Sequence, residues 1–288
     1  MAAAAAATVS AAPLPAGRKV PCEKCPLRAM PCLREFTAKE LEFISSFKSG
    51  ELNVQAGTNI LLQSTNSAHL YTILSGWAFR YKTLPDGRRQ ILNYALPSDF
   101  IGLQGSVNDE MQHSVETLTD VMLCVFPREK LWSLYTDFPT LAFDVTWLAA
   151  REEQILEEGL VSVGRRTAME RLAYLLVTLF QRAEEVGLTK GNSIQFPFTQ
   201  QHVADTLGMS LVHTNKTLQR LTATKTMRWS RSPIANRLRR AHGGRFFEAA
   251  AAVFSYVKFD GAPRISCIAS GAAGKGKAHV EDFHRVSR

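Results

Sequence analysis

The residues with the most informative chemistry lie between positions 198 and 221, where two short helices are predicted to meet at a tight turn. Thr199 and Ser210 are residue types that cap helix N-termini, and Gly208 stands where a sharp turn needs a positive φ. The predicted inner faces are Val203, Ala204 and Leu207 in the first helix and Thr214, Leu218 and Leu221 in the second. This pattern indicates a helix-turn-helix, whose second helix enters the major groove of DNA, or else an ordinary helical hairpin.

The outer surface of this segment carries side chains that can bond to nucleic acid. Lys216 can reach guanine or a phosphate, and Asn215 can pair with adenine through both amide atoms. Thr199 and Gln201 begin the first helix, where free backbone N–H groups favour phosphate. The predicted DNA-contacting residues are Thr199, Gln201, Ser210, Val212, His213, Asn215, Lys216 and Arg220. Any of these polar side chains could instead belong to a solvated helix face.

Cysteine spacing indicates a second kind of chemistry, the binding of a metal. Cys22, Cys25 and Cys32 lie close together near the N-terminus, and Cys124 lies in an apolar run. Cys22 and Cys25 could equally form half of a zinc site or bind no metal, and Cys124 alternates with apolar neighbours as an inert core thiol does. The alanine-rich residues 1–17 lack the basic start of a secretion signal, so we expect a cytoplasmic chain without a disulfide framework.

The net charge of +8 is concentrated at one end and does not by itself indicate DNA binding. Residues 231–288 hold eleven of the 34 basic and four of the 26 acidic residues, which is +7 of the total. No apolar run approaches the length of about 18 residues that predicts a membrane span. The sequence also has no nucleophile–base pattern or phosphate-cradling glycine loop, so we do not expect an enzyme.

Sequence patterns also predict the secondary-structure elements that would position these residues. Thr37 to Glu40 form a capping-box pattern at the start of a short helix. Short apolar runs and turn signals from Glu51 to Phe126 predict an antiparallel β-roll. The predicted strands are Asn59–Leu62, His69–Leu74, Trp77–Lys82, Gln90–Ala95 and Val121–Phe126. Asp86-Gly87 predicts a hairpin turn with both residues at positive φ.

Helical periodicity follows the roll. A near-heptad apolar stripe predicts a helix of about 25 residues that packs on a second chain, or else on the chain's own roll. The stripe consists of Leu141, Val145, Leu148, Glu152, Ile155 and Gly159. Residues 164–166 should end this helix, and Thr167–Ala183 should form another. The predicted inner residues of that helix are Leu172, Leu175, Leu176 and Leu179, and Ser193–Pro197 should form a strand.

Residues 20 to 229 resemble the Crp/Fnr family of bacterial transcription regulators. The carrying motifs are Gly57-Thr58, Leu74-Ser75-Gly76, Pro85-Asp86-Gly87-Arg88, Ser98-Asp99-Phe100-Ile101-Gly102, the run from Gly164 to Leu172, and the helix-turn-helix. The resemblance implies an α+β fold with an N-terminal antiparallel β-roll of the cyclic-nucleotide-binding type, a long dimerisation helix and a C-terminal winged helix-turn-helix. It implies a homodimer that acts on promoter DNA, with RNA polymerase as a further partner and no membrane partner.

The expected organisation has five parts. They are a disordered alanine-rich tail (1–20), the β-roll with its cysteine cluster (21–127), the dimerisation helix region (128–163), the helix-turn-helix domain (164–230) and a basic, disordered, divergent tail (231–288). The family would continue after Ser230 into a two-stranded wing. The tail shows no clear hairpin alternation and Phe246–Tyr256 could form an isolated helix, so we expect an atypical or missing wing. A dimeric ligand-binding or interaction module with impaired DNA binding is therefore an alternative function.

The resemblance also bears on the effector. Cyclic-AMP-binding members place a glutamate, an arginine and a serine where Leu103, His113 and Ser114 stand. Leucine cannot accept a hydrogen bond from ribose, and a neutral histidine cannot replace the fork of an arginine. We therefore do not expect cyclic AMP, and the effector and its pocket stay unassigned.

Two further implications concern a cofactor and the DNA sequence. Oxygen-sensing members bind a [4Fe–4S] cluster through cysteines at the positions of Cys22, Cys25, Cys32 and Cys124, which makes an iron–sulfur redox sensor another alternative. In the second motif helix, members often carry a glutamate and an arginine where this chain has valine and lysine. The valine, at position 212, offers only apolar contact, for example to a thymine methyl, so the family's usual DNA half-site is not expected here.

Overall fold

The computed structural model describes residues 20–30, 34–190, 193–223, 227–231 and 245–249. The predicted alanine-rich tail up to residue 19, Cys32, and the parts of the predicted basic tail at 232–244 and 250–288 lie outside these residues. Among the described residues, no helix combines the length and apolarity needed to cross a bilayer.

Two four-stranded antiparallel sheets form the N-terminal β-roll. The strands are β1 (Gly50–Val54), β2 (Asn59–Leu61), β3 (His69–Ser75), β4 (Ala78–Thr83), β5 (Arg89–Ala95), β6 (Phe100–Ile101), β7 (Ser114–Thr117) and β8 (Val121–Pro127). Their order is β1-β8-β3-β6 in one sheet and β2-β7-β4-β5 in the other. Ile73 and Leu123 of the first sheet share a buried cluster with Ala78 and Val115 of the second. The predicted roll is confirmed, although the sequence pattern did not predict β1, β6 and β7.

The turn between β4 and β5 differs from the predicted one. Leu84 O accepts a hydrogen bond from Gly87 N at 2.9 Å, so Pro85 and Asp86 are the central residues. Of the two residues predicted at positive φ, only Gly87 has it, at 81°. Proline fixes its own φ near −65°, which favours a type I turn followed by a left-handed glycine. The prediction for Asp86 is therefore wrong, while the hairpin itself is present.

Helix α1 (Ala38–Phe47) precedes the roll, α2 (Leu103–Val107) lies within it between β6 and β7, and α3 (Leu131–Asp137) and α4 (Pro139–Arg165) follow it. The capping box at the start of α1 is confirmed, with hydrogen bonds in both directions between Thr37 and Glu40. The predicted break at residues 164–166 is displaced, because Gly164 lies inside α4 and the extended residue is Arg166.

The apolar stripe of α4 is shifted from the predicted one. Leu141 and Val145 are buried in the chain's own core, together with residues of the roll. Leu156, Leu160 and Val163 are exposed and follow one another at helical spacing along the C-terminal half. The first half of the predicted stripe therefore stabilises the protomer, and the second half of the helix presents a different apolar face.

The C-terminal part contains α5 (Ala168–Glu185), α6 (Gln200–Leu207), α7 (Leu211–Ala223) and a sheet of β9 (Ser193–Phe196), β10 (Met227–Arg231) and β11 (Arg245–Ala249). The strand order is β10-β11-β9, and both pairs are antiparallel. Because β10 pairs with β11, the expectation of a disordered tail with a missing wing is wrong for residues 245–249, whereas an atypical wing stays a prediction. The predicted helix over Phe246–Tyr256 is wrong for its first four residues, 246–249. Residues 232–244 separate the two strands, and this connection exceeds the usual hairpin loop of about two to five residues.

Candidate nucleic-acid interface

Two capped helices joined at a left-handed glycine form the predicted motif. Thr199 Oγ1 accepts a hydrogen bond from His202 N at 3.3 Å, and Thr199 N donates to His202 Nδ1 at 3.1 Å. Gly208 ends α6 with φ 62°. Ser210 Oγ accepts from His213 N at 3.2 Å and so caps α7. The sequence prediction of both caps and of the turn is confirmed.

The inner face of α7 is more polar than the apolar spacing suggested. Thr214, Leu218 and Leu221 are buried as predicted, and Thr217 joins them. The threonine hydroxyls are satisfied locally, since Thr217 Oγ1 donates to His213 O at 2.8 Å and Thr214 Oγ1 donates to Ser210 O at 3.0 Å. A threonine that bonds to the preceding turn can face a core, and this is why Thr217 was missed.

The outer face of α7 presents two cations and an apolar side chain to solvent. His213, Lys216 and Arg220 are exposed, and Val212 is 65% exposed. Neither Lys216 nor Arg220 forms a salt bridge with another residue in the part of the chain that the structure describes. Their charges are therefore available to an external anion.

Asn215 differs from its outward neighbours. The residue is half-buried, and its Oδ1 is enclosed without a hydrogen-bond partner among the described residues. Bidentate pairing with adenine needs both amide atoms at the base edge. Asn215 is therefore only partly on the outward face, and its contact with a base stays a prediction.

The start of α6 holds the two residues predicted to contact phosphate. Thr199 and Gln201 are both exposed. Thr199 already uses its hydroxyl as the helix cap. Gln201 Nε2 donates to Asp205 Oδ1 at 2.6 Å, one helical turn further on. A primary amide has two N–H groups, so Gln201 retains a second donor.

The motif is docked on the β-roll through α6. Gln90 Nε2 donates to Thr206 O at 3.0 Å, and Tyr94 Oη lies 3.0 Å from Thr206 Oγ1. The His202 ring packs against the Phe79 ring, with centroids 5.3 Å apart. This burial, with a smaller effect of the nearby Arg89, lowers the pKa of His202, which favours the neutral ring that accepts from Thr199. Docking on the roll thus supports the cap of α6.

A buried arginine on α5 makes the second connection between roll and motif. Arg182 is 2% exposed, and its Nη2 lies 2.6 Å from Asp99 Oδ2. Its Nη1 donates to Asn93 Oδ1 at 3.0 Å and to Tyr94 O at 2.9 Å. Sequence analysis did not single out Arg182. The available signal was its place on the apolar face of α5, three residues after Leu179, where a charged residue needs a buried partner.

A cavity of about 680 Å³ lies between the roll and α4. The residues that line it include Leu103 and His113, which stand where cyclic-AMP-binding members of the family have a glutamate and an arginine. Burial, together with the nearby Arg80 and Lys82, lowers the pKa of His113 to about 4, so its ring is neutral at pH 7. Ser114 Oγ accepts from Gln63 N at 3.0 Å. These residues offer no charged clamp for a cyclic phosphate.

Arg80 is the most buried cation that lines this cavity, and it already forms bonds within the protein. It forms a salt bridge with Glu152 of α4 and donates to Phe100 O at 3.0 Å. Glu152 also accepts from Asn93 Nδ2 at 3.2 Å. The contacts therefore run from Arg80 on the cavity wall through Glu152 to Asn93, which in turn accepts from Arg182.

Of the four predicted iron–sulfur cysteines, the structure describes three, Cys22, Cys25 and Cys124. Cys25 and Cys124 contribute to the same apolar cluster. Burial raises the pKa of the Cys124 thiol to about 12, with Lys48 acting against it and the charges of Cys25 and Cys22 adding to it. Burial likewise raises the pKa of Cys25. Within the described residues, which exclude Cys32, no three His, Cys, Asp or Glu side chains form a metal-binding group.

Comparison with known proteins matches both halves of the chain to family models. Residues 51–138 match the cyclic nucleotide-binding domain, and residues 170–238 match the Crp-like helix-turn-helix domain. A probable transcriptional activator of Rhizobium leguminosarum is 31% identical over 168 residues, covering 58% of this chain and 69% of that protein. The transcriptional activator protein FnrL of Cereibacter sphaeroides is 27% identical over 193 residues, covering 66% and 77%.

Similarity to solved structures concerns the fold. The structure of FixK2 from Bradyrhizobium japonicum superposes with a TM-score of 0.62 at 22% sequence identity. The alignment covers 73% of this chain and 97% of that one. The regulator CLP of Xanthomonas campestris, which is described as responsive to c-di-GMP, has a TM-score of 0.57 at 18% identity, covering 68% and 96%.

Proposed function

The chain belongs to the Crp/Fnr family of DNA-binding transcription regulators, and we propose that the outer face of α7 contacts base pairs in the major groove of promoter DNA. The observation that carries this proposal is that Lys216 and Arg220 lie exposed on one face of a capped motif helix, without a salt bridge to any residue that the structure describes. Phosphate neutralisation by such cations supplies essentially all of the non-specific affinity of a protein for DNA and a large share of its specific affinity. Promoter DNA as the target implies action in the bacterial cytoplasm.

Base recognition would depend on a small set of side chains. Lys216 can donate to guanine O6 or N7, and Val212 can contact a thymine methyl. His213 and Arg220 are exposed beside them and can contact phosphate or a base edge. Thr199, Gln201 and the N-terminal N–H groups of α6 would hold a neighbouring phosphate.

We propose that the active form is a homodimer built on α4. Leu156, Leu160 and Val163 expose apolar surface along the same side of the helix, with Leu160 75% exposed. Covering these side chains with the same helix of a second chain removes apolar surface from water. The two-fold axis predicts DNA half-sites in inverted orientation, about one helical turn apart.

The cavity between the roll and α4 is the proposed place for the signal. An effector in contact with Arg80 or Glu152 would act on the bonds that fix α4 and α5, and a shift of α4 would change the orientation of α7. Contact with RNA polymerase would then depend on how the dimer sits on the promoter.

Replacing Lys216 with alanine tests the contact with DNA. We expect Lys216→Ala to weaken binding to a preferred site by roughly tenfold and to relax the base preference at one position, because a base-edge donor is lost. Gel-shift titration against a selected site and its single-base variants measures both effects. Lys130→Ala is the matched control, since it removes an exposed lysine that lies outside the motif. Unchanged affinity and unchanged preference for Lys216→Ala would remove this residue from DNA recognition.

Placing a charge in the exposed stripe of α4 tests the dimer. We expect Leu160→Glu to shift the mass in solution from twice 31.9 kDa to 31.9 kDa, because a carboxylate would be buried at the interface. Sedimentation equilibrium gives the mass directly. Phe143→Glu is the control, because Phe143 is 63% exposed on the same helix but lies about 100° around it from Leu160. A Leu160→Glu variant that remains dimeric would place the interface elsewhere.

A second candidate function is that of an iron–sulfur redox sensor. It is favoured by the packing of Cys25 and Cys124 in one apolar cluster, with Cys22 three residues before Cys25, since thiolates are the ligands that such a cluster uses. Cys32 would have to supply the fourth ligand. The described residues alone do not assemble the site.

Anaerobic purification decides between the two candidates. If the cluster exists, the protein should be brown with about four irons per monomer. Cys25→Ser should then lose the iron, and Cys267→Ser, which changes the one cysteine outside the predicted set, should keep it. A colourless, iron-free wild-type protein under these conditions would contradict the sensor hypothesis.

A further inference from the structure

A chain of polar contacts runs from the β-roll to the phosphate-facing end of α6. Asp205 accepts from Gln201 through Oδ1 at 2.6 Å and faces Arg89 of β5 through Oδ2 at 3.4 Å. Arg89 in turn faces Glu116 of β7 at 3.3 Å. Asp205 is therefore shared between a residue of the sensor roll and a residue at the proposed DNA surface.

Arg89 is firmly held by the roll, although it reaches the motif. Its guanidinium carbon lies 5.0 Å from the centre of the Phe79 ring and 5.3 Å from that of Tyr81. Its side chain is 26% exposed and that of Asp205 is 14% exposed. The two aromatic rings and Glu116 fix the cation in place, so its position follows the roll rather than α6.

The negative charge of the Asp205 carboxylate opposes the binding of a phosphate nearby. Gln201 and Asp205 are four residues apart and share one helix face, so the negative charge lies one turn from the donor that would meet the DNA backbone. A bare carboxylate there would repel phosphate, and water would screen it only in part because the side chain is mostly covered. Arg89 cancels this charge and leaves Asp205 free to orient the Gln201 amide.

We infer that Arg89 of the β-roll is a positioning and charge-neutralising residue for DNA binding, which acts through Asp205 on Gln201. The inference rests on the proposed function, in which Gln201 contacts phosphate. The DNA surface is then complete only while the roll is docked on α6. A signal that moves the roll away from α6 exposes the carboxylate and lowers the affinity for DNA.

Neighbouring arginines on one hairpin provide the test. Arg89→Met removes the cation from Asp205, and Arg88→Met removes the same charge from an exposed pair with Asp86 on the same turn. The probe is a fluorescent DNA duplex of random sequence at low salt, since contacts with phosphate do not depend on sequence. We expect Arg89→Met to bind about threefold or more weakly than Arg88→Met, a difference that narrows as salt is added.

A second experiment removes the carboxylate of Asp205. In the Arg89→Met background, Asp205→Asn should restore affinity to about that of Arg88→Met, because the uncompensated charge is gone. Asp86→Asn in the Arg88→Met background should change nothing. Arg89→Lys keeps the charge and should bind within about twofold of wild type. Circular dichroism confirms that each variant is folded.

The outcomes separate this inference from the proposed function. Wild-type protein that binds no DNA at low salt contradicts the proposed function and this inference with it. Wild-type binding combined with equal affinities for Arg89→Met and Arg88→Met overturns only the role of Arg89. Two further results would show that Arg89 acts through packing and would also overturn its charge-neutralising role. One is that Asp205→Asn fails to restore DNA affinity in the Arg89→Met background. The other is that Arg89→Lys loses as much DNA affinity as Arg89→Met.

Discussion

The need to pair one buried cation sets the relation between the two halves of the molecule. Arg182 is 2% exposed, and a guanidinium at that depth needs acceptors for its charge. Its Nη1 and Nη2 have such acceptors, whereas its Nε has no partner among the described residues. Its acceptors are Asp99, Asn93 and the Tyr94 carbonyl, and all three belong to the roll. Since α5 packs its Leu172 and Leu176 into the same cluster as the motif helices, α6 and α7 are held in one orientation to the roll.

The same bonds reach the cavity where a signal would act. Asn93 links Arg182 to Glu152 of α4, and Glu152 links Asn93 to Arg80 on the cavity wall. The path consists of contacts between buried or half-buried side chains and does not depend on a disordered segment. Under the proposed function, a change in the bonding of Arg80 would act on α4 and α5 together, as coupling of an effector to the motif requires. The partly buried contact of Arg89 with Asp205 lies beside this connection and is inferred to act on charge rather than on orientation.

Short sequence motifs predicted the parts of the structure whose conformation depends on neighbouring residues. Thr199, Gly208 and Ser210 define the motif because caps and a left-handed turn depend on a few neighbouring residues. The five predicted strands of the roll follow from alternation and turn residues in the same way. The order of motifs along some 200 residues then gave the family, which no single motif could give.

The parts that sequence reasoning missed depend on contacts between distant residues. Leu141 and Val145 have the spacing of a dimer interface, but only the tertiary structure shows that the roll covers them. Asn215 has the right position on a helical wheel, yet neighbouring packing encloses its Oδ1. Strand β11 pairs with β9 across more than 40 residues, and Arg182 meets Asp99 across 83. Periodicity carries no information about partners at such separations.

Selection of bound fragments from bacterial genomic DNA, followed by sequencing, tests the central claim that two symmetric copies of α7 recognise base pairs. A symmetric dimer should enrich an inverted repeat whose half-sites are centred about 10 base pairs apart. Enrichment of no sequence, or of single sites without two-fold symmetry, would contradict it.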